Sequence, residues 1–149
     1  MRHALVRSPA GFTLVEMLIA LVVAGTLVAI AVPPLVRLRS AATLNGAADA
    51  VARQLALGRN LAIARREPVR LRAGPAGTEL HDPEGNVLVA LRLGRGEELP
   101  IDSLRVRPAA IRFNERGQAG AGSVYLWKDD RGVRLVCNFL GRVRRESLP

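Results

Sequence analysis

Glu16 needs a chemical explanation, because it stands at the start of a strongly apolar stretch. The next 20 residues, 17–36, carry no charge, and a helix of that length spans about 30 Å of hydrocarbon. An unpaired acid in such a helix costs about 2.5–3.5 kcal/mol at the membrane centre and less near its rim. The position therefore favours a function in which a cation meets the Glu16 carboxylate.

The sequence lacks the residue patterns of an enzyme or a metal site. Cys137 is the single cysteine, so no intramolecular disulfide can form, and its apolar neighbours predict a buried side chain. His3 and His81 are far apart and have no ligand-spaced partners. Neither a phosphate-binding glycine loop nor a nucleophile–base pair is recognisable. We therefore expect no catalytic activity, no metal and no cofactor.

Positive charge is concentrated near the C-terminus. The chain has a net charge of +9, and residues 105–149 contribute +6 of it, with ten basic and four acidic residues. The closing segment "GRVRR" contains Arg142, Arg144 and Arg145, and strand alternation would place the first two on one face with Val143 opposite. Guanidinium groups suit phosphate oxygens, so this face is expected to attract polyanions. A solvated basic face, or internal pairing with carboxylates, is the alternative.

The elements that carry these residues can be predicted from periodicity. Residues 40–66 have apolar positions at three- and four-residue steps, which predicts an amphipathic helix that Pro68 ends. After Pro68, short alternating runs separated by Gly, Pro and Asp predict seven or eight strands, with a turn at 82–86. This order predicts an α+β fold in which a long N-terminal helix, transmembrane in its first half, packs on an antiparallel β-sheet domain.

Two further features of the pattern leave alternatives open. Pro33 and Pro34 are expected to kink or locally melt the long helix, although they could instead mark its exit from the membrane. The aromatic residues of the second half are expected to be core residues of strands rather than base-stacking platforms, with Trp127 beside Lys128 as the exception to test. These aromatic residues are Phe113, Tyr125, Trp127 and Phe139.

The N-terminal segment resembles the leader junction of type IV pilins and pseudopilins. The match is Gly-Phe-Thr-Leu-Val-Glu at 11–16, after a leader with two arginines and no acid. The resemblance implies cleavage by a prepilin peptidase between Gly11 and Phe12 and N-methylation of Phe12. It also implies that Glu16 pairs with the methylated amine of a neighbouring subunit during filament assembly. A generic signal anchor is the alternative.

This resemblance predicts the organisation and location of the chain. Residues 1–11 would be the prepilin leader, 12–39 the transmembrane and filament-core helix, and 40–149 the globular domain. Because the leader is basic, it should stay in the cytoplasm. We expect a single-pass inner-membrane protein with its globular domain outside the cytoplasm, which then enters a pilus or pseudopilus.

The globular part resembles the GspH/FimT family of minor pilins and pseudopilins. Two blocks carry the resemblance: "LALGRNLAIARREPVRL" at 55–71, and the segment from "IRFNERGQAGAGSVYLW" to "GVRLVCNFLGRVRR". Residues 73–104 show no resemblance that we recognise. Membership implies a filament subunit that joins or primes a pilus together with other pilins.

Some FimT-like relatives bind DNA during uptake for natural transformation, and the resemblance points to the closing Gly-Arg-x-Arg. We therefore predict a FimT-like minor pilin that binds double-stranded DNA without sequence specificity. A GspH-like minor pseudopilin of a type II secretion system, acting only through protein–protein contacts, is the alternative, and a major pilin is a weaker one. The predicted DNA-binding residues are Arg142, Arg144, Arg145, Lys128 and Arg134.

Overall fold

A computed structural model describes residues 12–94 and 96–148 of the chain. The chain divides into two compact units, Met1–Arg37 and Leu38–Pro149. One helix, α1, spans Leu14–Arg65 and so contributes to both units. The units are described in turn below.

In the first unit, α1 exposes its apolar side chains. Every described residue from Phe12 to Arg39 is exposed, and within the described part of the chain α1 is the one helix long and apolar enough to cross a membrane. The helix continues without interruption through Pro33 and Pro34, so the predicted local melting there is wrong. The reason is that proline keeps φ near the helical value even though it removes a backbone donor. A bend at these prolines stays a prediction.

In the second unit, the C-terminal part of α1 packs on the sheets through the predicted apolar face. Gln54 is also buried there, and its side chain exchanges hydrogen bonds with the Thr78 hydroxyl and carbonyl. A buried amide and hydroxyl satisfied in this way fix how the helix lies on the strand that contains Thr78. The predicted apolar positions that are buried are Leu44, Ala48, Val51, Leu55 and Ala62.

Eight strands follow the helix, and they confirm the predicted α+β fold. They form two four-stranded antiparallel sheets, with strand orders β3-β2-β1-β5 and β4-β6-β7-β8. Each predicted alternating run becomes one strand, because its period of two places one apolar face on the core. The strands are β1 (Val69–Gly74), β2 (Gly77–His81), β3 (Val87–Arg92), β4 (Ser103–Arg107), β5 (Ala110–Phe113), β6 (Gly122–Lys128), β7 (Arg131–Cys137) and β8 (Val143–Leu148).

The predicted turn at 82–86 joins β2 to β3 and is held by one side chain. The Asp82 carboxylate accepts hydrogen bonds from the Asn86 backbone N–H at 2.7 Å and from the Asn86 side-chain amide at 2.8 Å. The hydrogen bond from the Asn86 side chain is the main reason that the pKa of the Asp82 carboxyl lies below its ordinary value. The turn is thus stabilised by an ionised aspartate.

The second sheet has one apolar and one polar face. Its inner face joins the core of α1 and the first sheet through side chains such as Val124, Leu126 and Leu135. Its outer face is formed by the alternate residues, and the strand register places Arg105, Tyr125, Arg134 and Glu146 in one cross-strand row. A neighbouring row contains Arg107, Ser123, Val136 and Arg144. We call this surface the outer face of the second sheet.

Candidate functional site

The start of α1 has a local geometry that the sequence motif did not by itself reveal. Thr13 precedes the first helical residue, and its hydroxyl accepts a hydrogen bond from the Glu16 backbone N–H at 3.2 Å. In return, one Glu16 carboxylate oxygen accepts bonds from the Thr13 backbone N–H at 2.9 Å and the Thr13 hydroxyl at 3.0 Å. This reciprocal pair is a capping box, so Glu16 satisfies backbone donors of its own helix in the isolated chain.

The predicted cleavage and methylation sites adjoin this cap. Phe12 is 78% exposed, and Gly11 lies outside the described residues. Phe12 precedes Thr13 directly and Glu16 by four residues. Cleavage between Gly11 and Phe12, methylation of Phe12 and the assembly role of Glu16 stay predictions.

The turn between β7 and β8 presents Arg142. The Asn138 side-chain oxygen accepts hydrogen bonds from the backbone N–H groups of Leu140 and Arg142, at 3.0 and 2.9 Å. Gly141 has a φ of +73°, which favours glycine, and a Cβ there would lie 2.9 Å from the Arg59 side chain. Since β8 begins at Val143, Arg142 lies in this turn and not, as predicted, on the strand beside Arg144.

The Arg59 side chain packs beside this turn, and the sequence did not indicate it as a site residue. It projects from α1, and its Nε donates a 2.9 Å hydrogen bond to the Gly117 carbonyl, next to Gly141. The "LALGRN" block therefore contacts the "NERGQ" and "FLGRV" segments directly. No local pattern indicates this contact, because Gly117 and Gly141 are far from Arg59 in the sequence.

Arg144 and Arg134 lie together on the outer face of the second sheet. Arg144 is exposed, and its Nε lies 3.7 Å from a carboxylate oxygen of Glu146 on the same strand. The other Glu146 oxygen lies 3.6 Å from Arg134, which is half-buried. One carboxylate thus faces two arginines. The pairs contribute little stability because they are partly solvated.

Arg145 points the other way from Arg144, as strand alternation requires. Its guanidinium lies 3.4 Å from the Asp49 carboxylate and bonds the Asn45 side chain, both on α1. The side chain therefore links β8 to the helix. This is one of the internal carboxylate pairs that the sequence analysis left open as an alternative to polyanion binding.

Lys128 is not grouped with the other predicted residues. It pairs with Arg131 at the C-terminal end of β6. The Arg142 turn follows Cys137, which pairs with the other end of β6. Its ammonium group donates a 2.9 Å hydrogen bond to the Pro100 carbonyl. The structure thus brings Arg134 and Arg144 together, places Arg142 in the adjoining turn, and sets Arg145 and Lys128 apart.

Three of the four aromatic residues predicted to be in the core lie outside it. Phe113 is fully buried as predicted, whereas Phe139 is exposed in the turn. Tyr125 and Trp127 are half-buried on the outer face, with ring centroids 5.6 Å apart and planes at 7°. The core prediction is therefore wrong for Phe139, Tyr125 and Trp127. On β6 the reason is that Val124 and Leu126 take the inward positions.

Arg105 and Arg107 also lie on this outer face, on edge strand β4, and are exposed. Across the described ranges 12–94 and 96–148, neither forms an ion pair. The alternation in "SLRVRP" was the signal that could have identified them, since it is the same pattern as in "GRVRR".

Cys137 is buried at the end of β7, as the sequence predicted. Burial raises the pKa of its thiol, so at neutral pH it is a small apolar side chain rather than a nucleophile. Among the described residues, no group of three or more His, Cys, Asp or Glu side chains is arranged to hold a metal ion.

Two family profiles match the chain. The profile described as prokaryotic N-terminal methylation motif matches residues 6–32, and the one described as type II transport protein GspH matches residues 47–141. The second match covers more than half of the 149 residues. No curated protein matches the chain.

Crystal structures of the Pseudomonas aeruginosa type IV minor pilin FimU are similar to this chain. The crystal form in space group P21 has a TM-score of 0.51 at 17% identity, over 69% of this chain and 87% of FimU. The form in space group P65 has a TM-score of 0.49 at 17% identity, over 69% and 92%. At this identity the likeness concerns the fold alone, and the P21 form supports a pilin fold: one long N-terminal apolar helix packed on antiparallel sheets.

Proposed function

The chain belongs to the family described as type II transport protein GspH, and we propose that it is a FimT-like minor pilin that also binds double-stranded DNA. Its N-terminal methylation motif and apolar helix fit a membrane-anchored pilin, and the family consists of structural subunits rather than enzymes.

The assembly role rests on the N-terminal segment. After cleavage between Gly11 and Phe12 by a prepilin peptidase, the methylated Phe12 amine would be the cation that meets Glu16 of a neighbouring subunit. The exposed apolar surface of α1 up to Arg39 supports this, because none of the residues that the structure describes buries it. It would be covered first by lipid and then by other pilins. We propose an inner-membrane location before assembly and a pilus location after it.

The proposal of DNA binding is carried by one observation: Arg142, in the turn that precedes β8, and Arg144, two residues further along on that strand, are both exposed. Arg134 is close to Arg144 through Glu146, so a phosphate could replace that carboxylate as the partner of both arginines. Such contacts follow the DNA backbone, which makes binding independent of sequence and dependent on salt. Arg145 and Lys128 are secondary members of the set, because Arg145 points to α1 and Lys128 lies at the opposite end of β6.

Titration of duplex DNA with the full chain in detergent tests this proposal. Wild type should bind at about 50 mM salt. The double variant Arg142→Ala with Arg144→Ala should reduce the salt slope, which is the slope of the logarithm of the binding constant against the logarithm of the salt concentration, by about two, one for each phosphate contact. The matched control is Arg53→Ala with Arg131→Ala, which removes the same charge from exposed positions on α1 and at the end of β7 opposite the Arg142 turn. Undetectable binding by wild type, or equal binding by the two double variants, would exclude the DNA role.

A second candidate function is that of a minor pseudopilin in a type II secretion system. The family description favours it, and so do the internal pairs of Arg145 with Asp49 and of Arg134 with Glu146, since these reduce the charge available to a polyanion. In this case the outer face would contact acidic neighbouring subunits. Co-purification with secretion pseudopilins rather than with pilus subunits would support this candidate.

A further inference from the structure

A groove along edge strand β4 forms a second basic surface, separate from the Arg142 turn. It is lined by Arg72, Arg105 and Arg107, and its other lining residues are apolar. All three arginines are exposed, and within the described part of the chain none forms an ion pair. We call this surface the β4 groove. Three cations without a carboxylate partner on an apolar floor favour an anionic ligand.

The β4 groove adjoins the aromatic pair of the outer face. Ser103, Arg105 and Trp127 line a depression that shares Arg105 with the groove. Tyr125 stacks on one face of Trp127, and the Arg134 guanidinium carbon lies 5.5 Å from the centre of the Tyr125 ring. A flat ring placed in the depression would contact Trp127 beside the Arg105 guanidinium.

The position of Trp127 is fixed by the sheet beneath it. Gly132 lies opposite Trp127 on β7, and a Cβ at Gly132 would come within 2.8 Å of the indole nitrogen. The absence of that Cβ lets the indole lie close to the sheet, where it is half-buried instead of free to rotate. An aromatic side chain held in one orientation next to an arginine is a preformed stacking surface.

We propose that the β4 groove binds single-stranded nucleic acid, with phosphates on Arg105, Arg107 and Arg72 and one base stacked on Trp127. This proposal rests on the proposed function, in which the chain contacts DNA, and adds a second nucleic-acid site of different specificity. The Arg142 and Arg144 end of the sheet would follow a duplex backbone, while the β4 groove would select strands whose bases are unpaired.

The geometry favours a single strand over other polyanions. Arg105 and Arg107 are two residues apart on one strand, which is about 6.8 Å and comparable to the distance between successive phosphates of an extended chain. The ring faces of bases inside a duplex are covered by their neighbours, so a duplex without free ends could not stack on Trp127. An acidic protein surface could pair with the arginines, but its carboxylates would not stack on the indole beside them.

Trp127 is the only tryptophan of the chain, so its fluorescence reports on the proposed stacking directly. The full chain in detergent is titrated with an oligothymidylate, with an abasic strand of the same length and with a relaxed, covalently closed circular duplex, which has no terminal base pairs. The oligothymidylate should quench Trp127 emission saturably, and the abasic strand should bind more weakly without quenching. The duplex should bind without quenching.

The variant pair separates the β4 groove from general positive charge. Arg105→Ala with Arg107→Ala should weaken oligothymidylate binding at least about tenfold and lower the salt slope by about 1.4, or 0.7 for each phosphate contact. Arg53→Ala with Arg116→Ala should leave both nearly unchanged. An unaltered emission spectrum and thermal midpoint show that each variant is folded.

Each outcome decides between the two proposals. If duplex binding persists but oligothymidylate neither quenches nor depends on Arg105 and Arg107, the β4 groove proposal is wrong and the proposed function stands. If no nucleic acid binds, both are wrong. Equal quenching by polyglutamate would overturn the nucleic-acid assignment in favour of an acidic protein partner, and equal quenching by heparin would overturn it in favour of an acidic glycan.

Discussion

At the scale of single residues, Glu16 has two distinct roles: it belongs to the Thr13–Glu16 capping box, and we propose that it pairs with a neighbouring subunit. Within its own helix, Glu16 satisfies the Thr13 backbone N–H, which any hydrogen-bond acceptor of similar shape could do. In the proposed filament it must supply a negative charge to a methylated amine, which only a carboxylate can do. The two roles can therefore be tested with different substitutions.

Glu16→Gln should keep the cap but abolish incorporation into filaments, because glutamine accepts the same hydrogen bonds without charge. Thr13→Ala should do the reverse: it weakens the start of the helix by about 1 kcal/mol and leaves the charge in place. Immunoblots of sheared filaments and of membranes measure incorporation. Normal incorporation of Glu16→Gln would show that the charge is not required for assembly.

Asp82 gives a pH-dependent prediction, because the pKa of its carboxyl is lowered in the folded state by the Asn86 side chain. A lowered pKa stabilises the fold at pH values above 3.8, the ordinary pKa, and this stabilisation is lost as the pH falls through the folded value. Asp82→Asn should therefore unfold at a lower temperature than wild type at neutral pH, with a difference that shrinks below pH 3.8. Thermal unfolding followed by Trp127 fluorescence measures it. A difference that does not change with pH would contradict this explanation.

At the scale of elements, the two parts of α1 differ in burial, and no break in the helix separates them. Up to Arg39 its side chains are exposed, whereas from Leu44 onward one face is buried against the sheets. Arg59 and the Arg145–Asp49 pair tie the buried part to the turns and to β8. The helix is thus the element that positions the C-terminal turn with Arg142.

Leu55→Ala should destabilise the globular unit by about 2–5 kcal/mol, because the Leu55 side chain is 1% exposed and its removal leaves a cavity. The matched control is Leu57→Ala on the same helix, where the side chain is 40% exposed and the expected change is within about 0.5 kcal/mol. Chemical unfolding of the full chain in detergent, monitored at Trp127, compares them. Similar effects of both substitutions would mean that this face of α1 does not pack on the sheets.

At the scale of the whole molecule, the fold could be predicted from the sequence because the helical and the strand periodicity occupy separate parts of the chain. Steps of three and four before Pro68 specify a helix face, and steps of two after it specify eight strands with one face on the core. Register and sheet order could not be predicted, because short alternating strands have many possible partners. The pairing of β4 with β6 brings Arg105 next to Tyr125, and no local pattern indicates it.

The candidate site was predicted less completely for the same reason. Alternation placed Arg144 on an outward face, but it could not show that Arg145 reaches Asp49 across a separation of nearly a hundred residues. The grouping of Tyr125 and Trp127 with arginines likewise depends on which strand lies beside β6. Contacts between distant segments decide which basic residues remain available to a ligand.

We propose that this chain is processed and assembled as a minor pilin, and mass spectrometry of purified filaments measures both steps. A peptide beginning at methylated Phe12 should be present in the filaments, at a small fraction of the amount of the major subunit. A chain that keeps residues 1–11 and stays in the membrane fraction, absent from filaments of cells that assemble them normally, would show that it is not a pilin subunit.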